Sequence, residues 1–196
     1  MRMFESVVIV ADPATLELGV AVRAALEAFR LRVHLYQCVQ KRNLLDLLTG
    51  QMADAEYVVL CAGGFHPPEP ESLHFVRMVD EVEGSWQEVD LWLTPELVRE
   101  KVSLPGRTIV VTGGCNTGTE GLAEAFLSTG CQAYVAPAEP IDADSVVLFT
   151  IGLFYHLLQE EREPAAACSL EWAVKRAAAM DTTSREGTHL YRCFTA

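Results

Sequence analysis

Residues 108–118 read TIVVTGGCNTG, and this stretch decides the fold. Its first five residues are apolar or β-branched with no polar alternation, the pattern of a strand buried on both faces of a parallel sheet. Gly113 and Gly114 end the strand and Cys115 follows. Thr117 and Glu120 then stand at capping-box spacing, which predicts a helix from Thr117 to a C-cap at Gly130. Strand, tight corner and helix in this order make one βα step of an α/β sheet.

The same step recurs on the N-terminal side. Residues 7–11 form an apolar run followed by Asp12 as N-cap and Pro13 as first helical residue. Leu18, Val22, Leu26 and Phe29 repeat at helical spacing behind them. A second strand over 32–39, a helix over 43–52 and a third buried strand over 57–62 complete the first half. That third strand runs into Gly63-Gly64-Phe65-His66-Pro67-Pro68. Residues 73–79 and 86–93 flank Glu83-Gly84-Ser85 as an inserted β-hairpin, with Trp86 and Trp92 read as packing residues, and Thr94-Pro95 starts a short helix. A fifth strand over 133–136, a buried helix over 145–160 and a last helix over 169–180 lead into an irregular tail. This alternation, with no linker or repeat, predicts one domain over 1–196: a mostly parallel sheet with helices on both faces.

In such a sheet, sites form where loops leave the carboxyl ends of the strands. Cys115 stands at such an end, two residues before the expected helix cap. The unpaired N–H groups and partial positive charge of a helix N-terminus favour a thiolate. The N–H of Cys115 and one from Gly63 or Gly64 would together cradle an oxyanion. His66, on the loop after the third strand, is the candidate base. His34 and His156 lie in a strand and a buried helix and read as packing residues, and His74 and His189 have no supporting context.

The composition narrows the function. The 196-residue chain carries a net charge of −12, which repels phosphate backbones and anionic head groups; neither a nucleic acid nor a membrane is the expected partner. The longest apolar stretch, 146–158, falls short of the roughly 20 residues of a bilayer span. Six cysteines occur without a CxxC pair or zinc-ligand spacing, so neither a metal nor a cofactor is expected. With no leader-like N-terminus, the expected setting is cytoplasmic with reduced thiols.

The runs VVTGGCNTG, GLAEAFLSTGCQAYVAP and IDADSVVLFTIGLFYHLL resemble the caspase-like CHAT family, of the clan of caspases, metacaspases, clostripain and separase. The resemblance covers about a quarter of the chain. It implies a three-layer caspase-like sandwich and a cysteine peptidase with Cys115 as nucleophile and His66 as base. The family's histidine comes directly at the end of the third strand, where this chain has Gly63. Either the loop curls back to bring His66 to Cys115, or the chain is a silent caspase-like module for binding or scaffolding. A short-chain dehydrogenase is set aside on the glycine spacing and on His-Leu-Leu after Tyr155; an amidotransferase elbow remains a minority reading, with Thr117 where its last glycine should be.

The implied substrate is a peptide or protein. Asp12 ends the first strand, and Glu139, Asp142 and Asp144 leave the fifth, all on the rim that carries Cys115. Carboxylates there would select Lys or Arg at the cleaved residue, the preference of the metacaspase and clostripain branches. Asp12 and Asp142 also read as helix caps. Residues 116–132 are taken up by a helix where caspases are commonly cut, so an intact single chain is expected.

Overall fold

The computed structural model describes residues 6–51, 55–160, 169–180 and 191–196. Five strands form the expected parallel sheet: β1 (Ser6–Ala11), β3 (Tyr57–Cys61), β6 (Ile109–Thr112) and β7 (Ala133–Pro137), buried apolar runs, and the mostly exposed edge strand β2 (Arg32–Gln37). A sixth strand, β8 (Tyr191–Thr195), runs antiparallel to β7, and the order across the sheet is β2-β1-β3-β6-β7-β8. The tail is therefore not irregular throughout. Its alternation is short: Tyr191 is buried while Arg192 and Thr195 are exposed, too little pattern to read as a strand.

Alternate strand residues feed two cores. Val8, Val10, Val58, Leu60 and Val110 face α2 (Lys41–Asp46), α3 (Pro95–Lys101) and α4 (Glu120–Ser128). Val7, Ile9, Val59, Cys61 and Val111 face α1 (Leu16–Ala28), α5 (Ala143–Glu160) and α6 (Leu170–Ala178). The result is a mixed α/β fold of three layers with a mostly parallel sheet at its centre. The hairpin of β4 (Leu73–Val82) and β5 (Ser85–Leu93) covers part of the first face by burying Leu73, Phe75, Met78, Leu91 and Leu93. Trp86 is 58 % exposed at its tip, so it is no core residue. His34 likewise lies exposed on the edge strand β2, while His156 is buried as expected.

Three helices differ from expectation. Helix α1 begins at Leu16, because Asp12 closes its own turn: its Oδ1 accepts from the N–H groups of Ala14 and Thr15. Helix α2 is shorter than expected and continues as a π-helical turn, Leu47–Gln51; the end of the expected helix, Met52, lies outside the described residues. Helix α4 is capped by Thr119, whose hydroxyl accepts from Leu122 N–H at 3.4 Å. Thr117 cannot cap it, since its hydroxyl turns back to donate to Gly114 O at 2.6 Å. Among the described residues, no helix is long and apolar enough to cross a membrane.

Candidate functional site

The two glycine corners meet backbone to backbone. The last hydrogen bond between β3 and β6 runs from Gly113 N–H to Leu60 O at 3.3 Å, and beyond it the chains close on each other. A Cβ on Gly114 would stand 2.6 Å from Gly63 O, and one on Gly64 would overlap the backbone of Cys115. Only glycine permits that approach.

The loop after β3 then crosses over the cysteine. Phe65 N–H donates to Cys115 O at 3.2 Å, and the Asn116 side-chain amide donates to Phe65 O at 2.7 Å. Asn116 adopts a left-handed φ of 61°, which asparagine tolerates better than most residues and which aims its side chain at the crossing loop. His66 follows directly and is exposed. Its N–H donates to Glu69 Oε2 at 3.0 Å, and Glu69 N–H returns to His66 O at 2.9 Å, closing a turn. Farther along, Glu71 Oε2 accepts from Thr119 Oγ1 at 3.1 Å and lies over Gly121 at the start of α4, where a carboxylate suits the helix dipole. The His66 loop is thus tied down at both ends, to Cys115 and to the α4 cap. Among the described residues, the His66 ring makes no hydrogen bond to Cys115.

Cys115 itself is half-buried. Ile141 N–H points at its sulfur at 3.4 Å, and the thiol reaches Ile141 O at 3.5 Å. The β7–α5 loop is joined to the corner again by Asn116 N–H to Glu139 O at 3.4 Å. Glu139 and Asp142 therefore sit, exposed, on either side of the residue that holds the thiol; Asp144 is exposed on the first turn of α5. Because the cap is Thr119, Cys115 lies four residues before it, beyond the expected reach of the α4 dipole. The donor aimed at the sulfur is instead the Ile141 N–H.

Two expected assignments meet a geometry that opposes them. Asp12 is fully buried: besides Ala14 and Thr15, its carboxylate accepts from Thr15 Oγ1 at 2.9 Å and from Val76 N–H at 2.8 Å on β4. A carboxylate so engaged anchors the hairpin and offers no free oxygen to a substrate. Gly63 N–H donates to His74 O at 2.8 Å, which removes it as an oxyanion donor. Gly64 N–H and Cys115 N–H have no backbone acceptor among the described residues.

The other thiols among the described residues are inert; Cys168 lies outside them. Burial pushes Cys38 up to about 11 and Cys131 to about 12; burial and the neighbouring Asp12 push Cys61 to about 12, and burial and Glu171 push Cys193 to about 11. His74 gains the context that its sequence did not announce. Its ring stacks on Trp92 at 3.7 Å, and Nε2 lies 3.1 Å from Asp90 Oδ2. The cross-strand register His74↔Trp92 is the signal, and it depends on the hairpin's pairing. His189 lies outside the described residues. Among the described residues, no group of three or more His, Cys, Asp and Glu side chains is placed to hold a metal.

These elements define a caspase-like α/β fold with a cysteine at the carboxyl end of a central strand. The solved structure of the Saccharomyces cerevisiae separase–securin complex matches 98 % of this chain with a TM-score of 0.58 at 10 % identity, a likeness of fold. The match spans 12 % of that chain, so the described protein corresponds to about an eighth of it. Chaetomium thermophilum Raptor matches 88 % of this chain and 20 % of its own at a TM-score of 0.45 and 15 % identity. A Streptococcus pneumoniae TIGR4 flavodoxin matches 91 % and 99 % at 0.38 and 15 %. No family model and no curated protein matches the sequence.

Proposed function

We propose that the chain is a caspase-like cysteine peptidase domain, of the CHAT type that its motifs resemble, with Cys115 as nucleophile and His66 as base. The observation that carries this reading is the loop crossing. Phe65 is bonded to Cys115 O and to Asn116, so the loop that carries His66 is anchored to the backbone of the cysteine and its neighbour. Apo dyads are often loose, and a missing hydrogen bond does not remove a candidate base.

In the proposed reaction His66 takes the Sγ proton and the sulfur attacks the scissile carbonyl carbon. The C–N bond then breaks, the imidazolium gives its proton to the leaving amine, and a thioester remains. Water attacks that thioester, releasing the carboxylic acid and restoring the thiol. Gly64 N–H and Cys115 N–H are the proposed donors to the oxyanion. Glu139 and Asp142 flank Ile141 and favour a Lys or Arg side chain at the cleaved residue. A panel of fluorogenic peptides differing only at that residue tests the reading. Cleavage after Arg or Lys that is lost in Cys115→Ala supports it; no cleavage of any peptide counts against it.

A silent caspase-like binding module is the second reading. Its support is the thiol, which directs its hydrogen bonding to Ile141 rather than to an imidazole. Separase is solved in complex with securin, and a protein partner is proposed here on that footing.

A further inference from the structure

We propose that Tyr134 and Arg192 are positioning residues for Cys115, which makes the β7–β8 strand pair a part of the site. The inference rests on the reading of Cys115 as a nucleophile. Tyr134 and Arg192 lie on one face of the pair, in the register Tyr134↔Phe194 and Ala136↔Arg192. Each donates to a carbonyl of the loop that follows the cysteine. Tyr134 Oη donates to Thr117 O at 3.1 Å, and Arg192 Nη1 to Gly118 O at 3.4 Å.

The Tyr134 contact is the stronger of the two. The side chain is fully buried, stacked on Phe126 at 4.9 Å and flanked by Phe194 at 6.4 Å, so its hydroxyl has one direction to point. A buried phenol needs a partner, and a hydrogen bond in that setting is poorly screened. The peptide plane between Thr117 and Gly118 is held at both ends, since Gly118 N–H donates to Pro137 O at 2.7 Å. Strand β7 thus grips one peptide unit by its carbonyl and its amide. With that plane fixed, the left-handed turn at Asn116 has one way to close, and it sets the direction in which Cys115 leaves β6. Arg192 secures the next carbonyl from β8. A loop free to rotate would shift the sulfur relative to any bound carbonyl, and displacements of about 1 Å reduce catalysis by on the order of 100-fold.

The test uses the whole chain with Tyr134→Phe, which keeps the ring and removes the donor, together with Arg192→Leu and Arg192→Lys. Amide hydrogen exchange at Gly118 is the readout that needs no activity; kcat and KM on the cleaved peptide are the second. The proposal predicts exchange at Gly118 at least about fivefold faster in Tyr134→Phe, the effect of losing roughly one hydrogen bond, with α5 amides unchanged. It predicts that kcat falls while KM holds, and that Arg192→Lys retains what Arg192→Leu loses. Unchanged Gly118 exchange in both Tyr134→Phe and Arg192→Leu overturns the inference, whether or not the parent cleaves peptides. Faster exchange with kcat unaltered in an active parent also overturns it. Faster exchange in a chain whose parent cleaves nothing supports the loop assignment and counts against the peptidase reading alone.

Discussion

The main-chain N–H of Phe65 donates to the carbonyl oxygen of Cys115, at 3.2 Å, across two loops that leave neighbouring strands. Through that bond the loop carrying His66 is fixed relative to the cysteine rather than trailing into solvent.

Gly64 should be the least replaceable residue of the corner. A Cβ there overlaps Cys115 N, C and O, so Gly64→Ala has to push the two loops apart. We expect a loss of about 3 kcal/mol or more in urea unfolding, with the crossing broken. Gly84 is the control: it has a φ of +79° and open space around its Cβ, and Gly84→Ala should cost about 1 kcal/mol.

Replacing Asp12 should harm stability and leave specificity alone. Asp12→Ala removes the acceptor of the Ala14, Thr15 and Val76 N–H groups at a part-buried turn, for a loss of about 2 kcal/mol by denaturant unfolding. Among surviving molecules the preference for basic peptides should persist, whereas the double change Glu139→Gln and Asp142→Asn should weaken it. A preference that follows Asp12 instead would contradict the assignment of that carboxylate to the hairpin.

Among Cys38, Cys61, Cys115, Cys131 and Cys193, Cys115 should be alkylated first. The other four are held at about 11 to 12, so few of their thiolates exist at pH 8. Peptide mapping after a brief iodoacetamide pulse on the native chain reads the order. Equal labelling of Cys131 would mean that the sheet face it lies on opens on that timescale.

Stability should fall in acid partly through His156. Burial, with Arg176 nearby, holds its imidazole below the ordinary value of 6.5; the ring lies between Tyr155 and Trp172. The unfolded chain then binds the proton first, so the stability tied to the neutral ring is present above pH 6.5 and is lost as the pH falls below it. Urea midpoints at pH 7.5 and 5.0 should differ less in His156→Phe than in the parent. An identical pH dependence in both would remove His156 from the account.

The layers of the fold were legible because buried parallel strands write themselves as unbroken apolar runs: 7–11, 57–62 and 108–112 each became a strand within a residue or so. Strand β8 was not, since an edge strand needs few apolar residues and its identity comes from pairing with β7. Thr117 and Thr119 are both plausible caps by type. What decides between them is the tertiary bond from Thr117 to Gly114, to which spacing is blind. Asp12 could be read as cap or as rim carboxylate until the hairpin delivered Val76 N–H to it. The departure of Gly63 from the histidine position also acquires a physical sense: its backbone pairs with His74, and Gly64 beside it admits the crossing loop.

Caspases are commonly cut after the nucleophile, but here 116–132 holds the capped helix α4 and the strand-joining turn. Mass spectrometry of the active form should therefore show an unbroken chain over that interval. A cut between Asn116 and Gln132 that accompanies activation would contradict this.

The most direct test of the central claim is labelling by a peptidyl electrophile ending in Arg, followed by intact mass. The parent should gain one equivalent on Cys115, Cys115→Ala should gain none, and His66→Ala should label at least about 100-fold more slowly, the usual contribution of a general base. Labelling of the parent that is indifferent to His66, or absent while iodoacetamide still modifies Cys115, would contradict the account and leave the silent binding domain in its place.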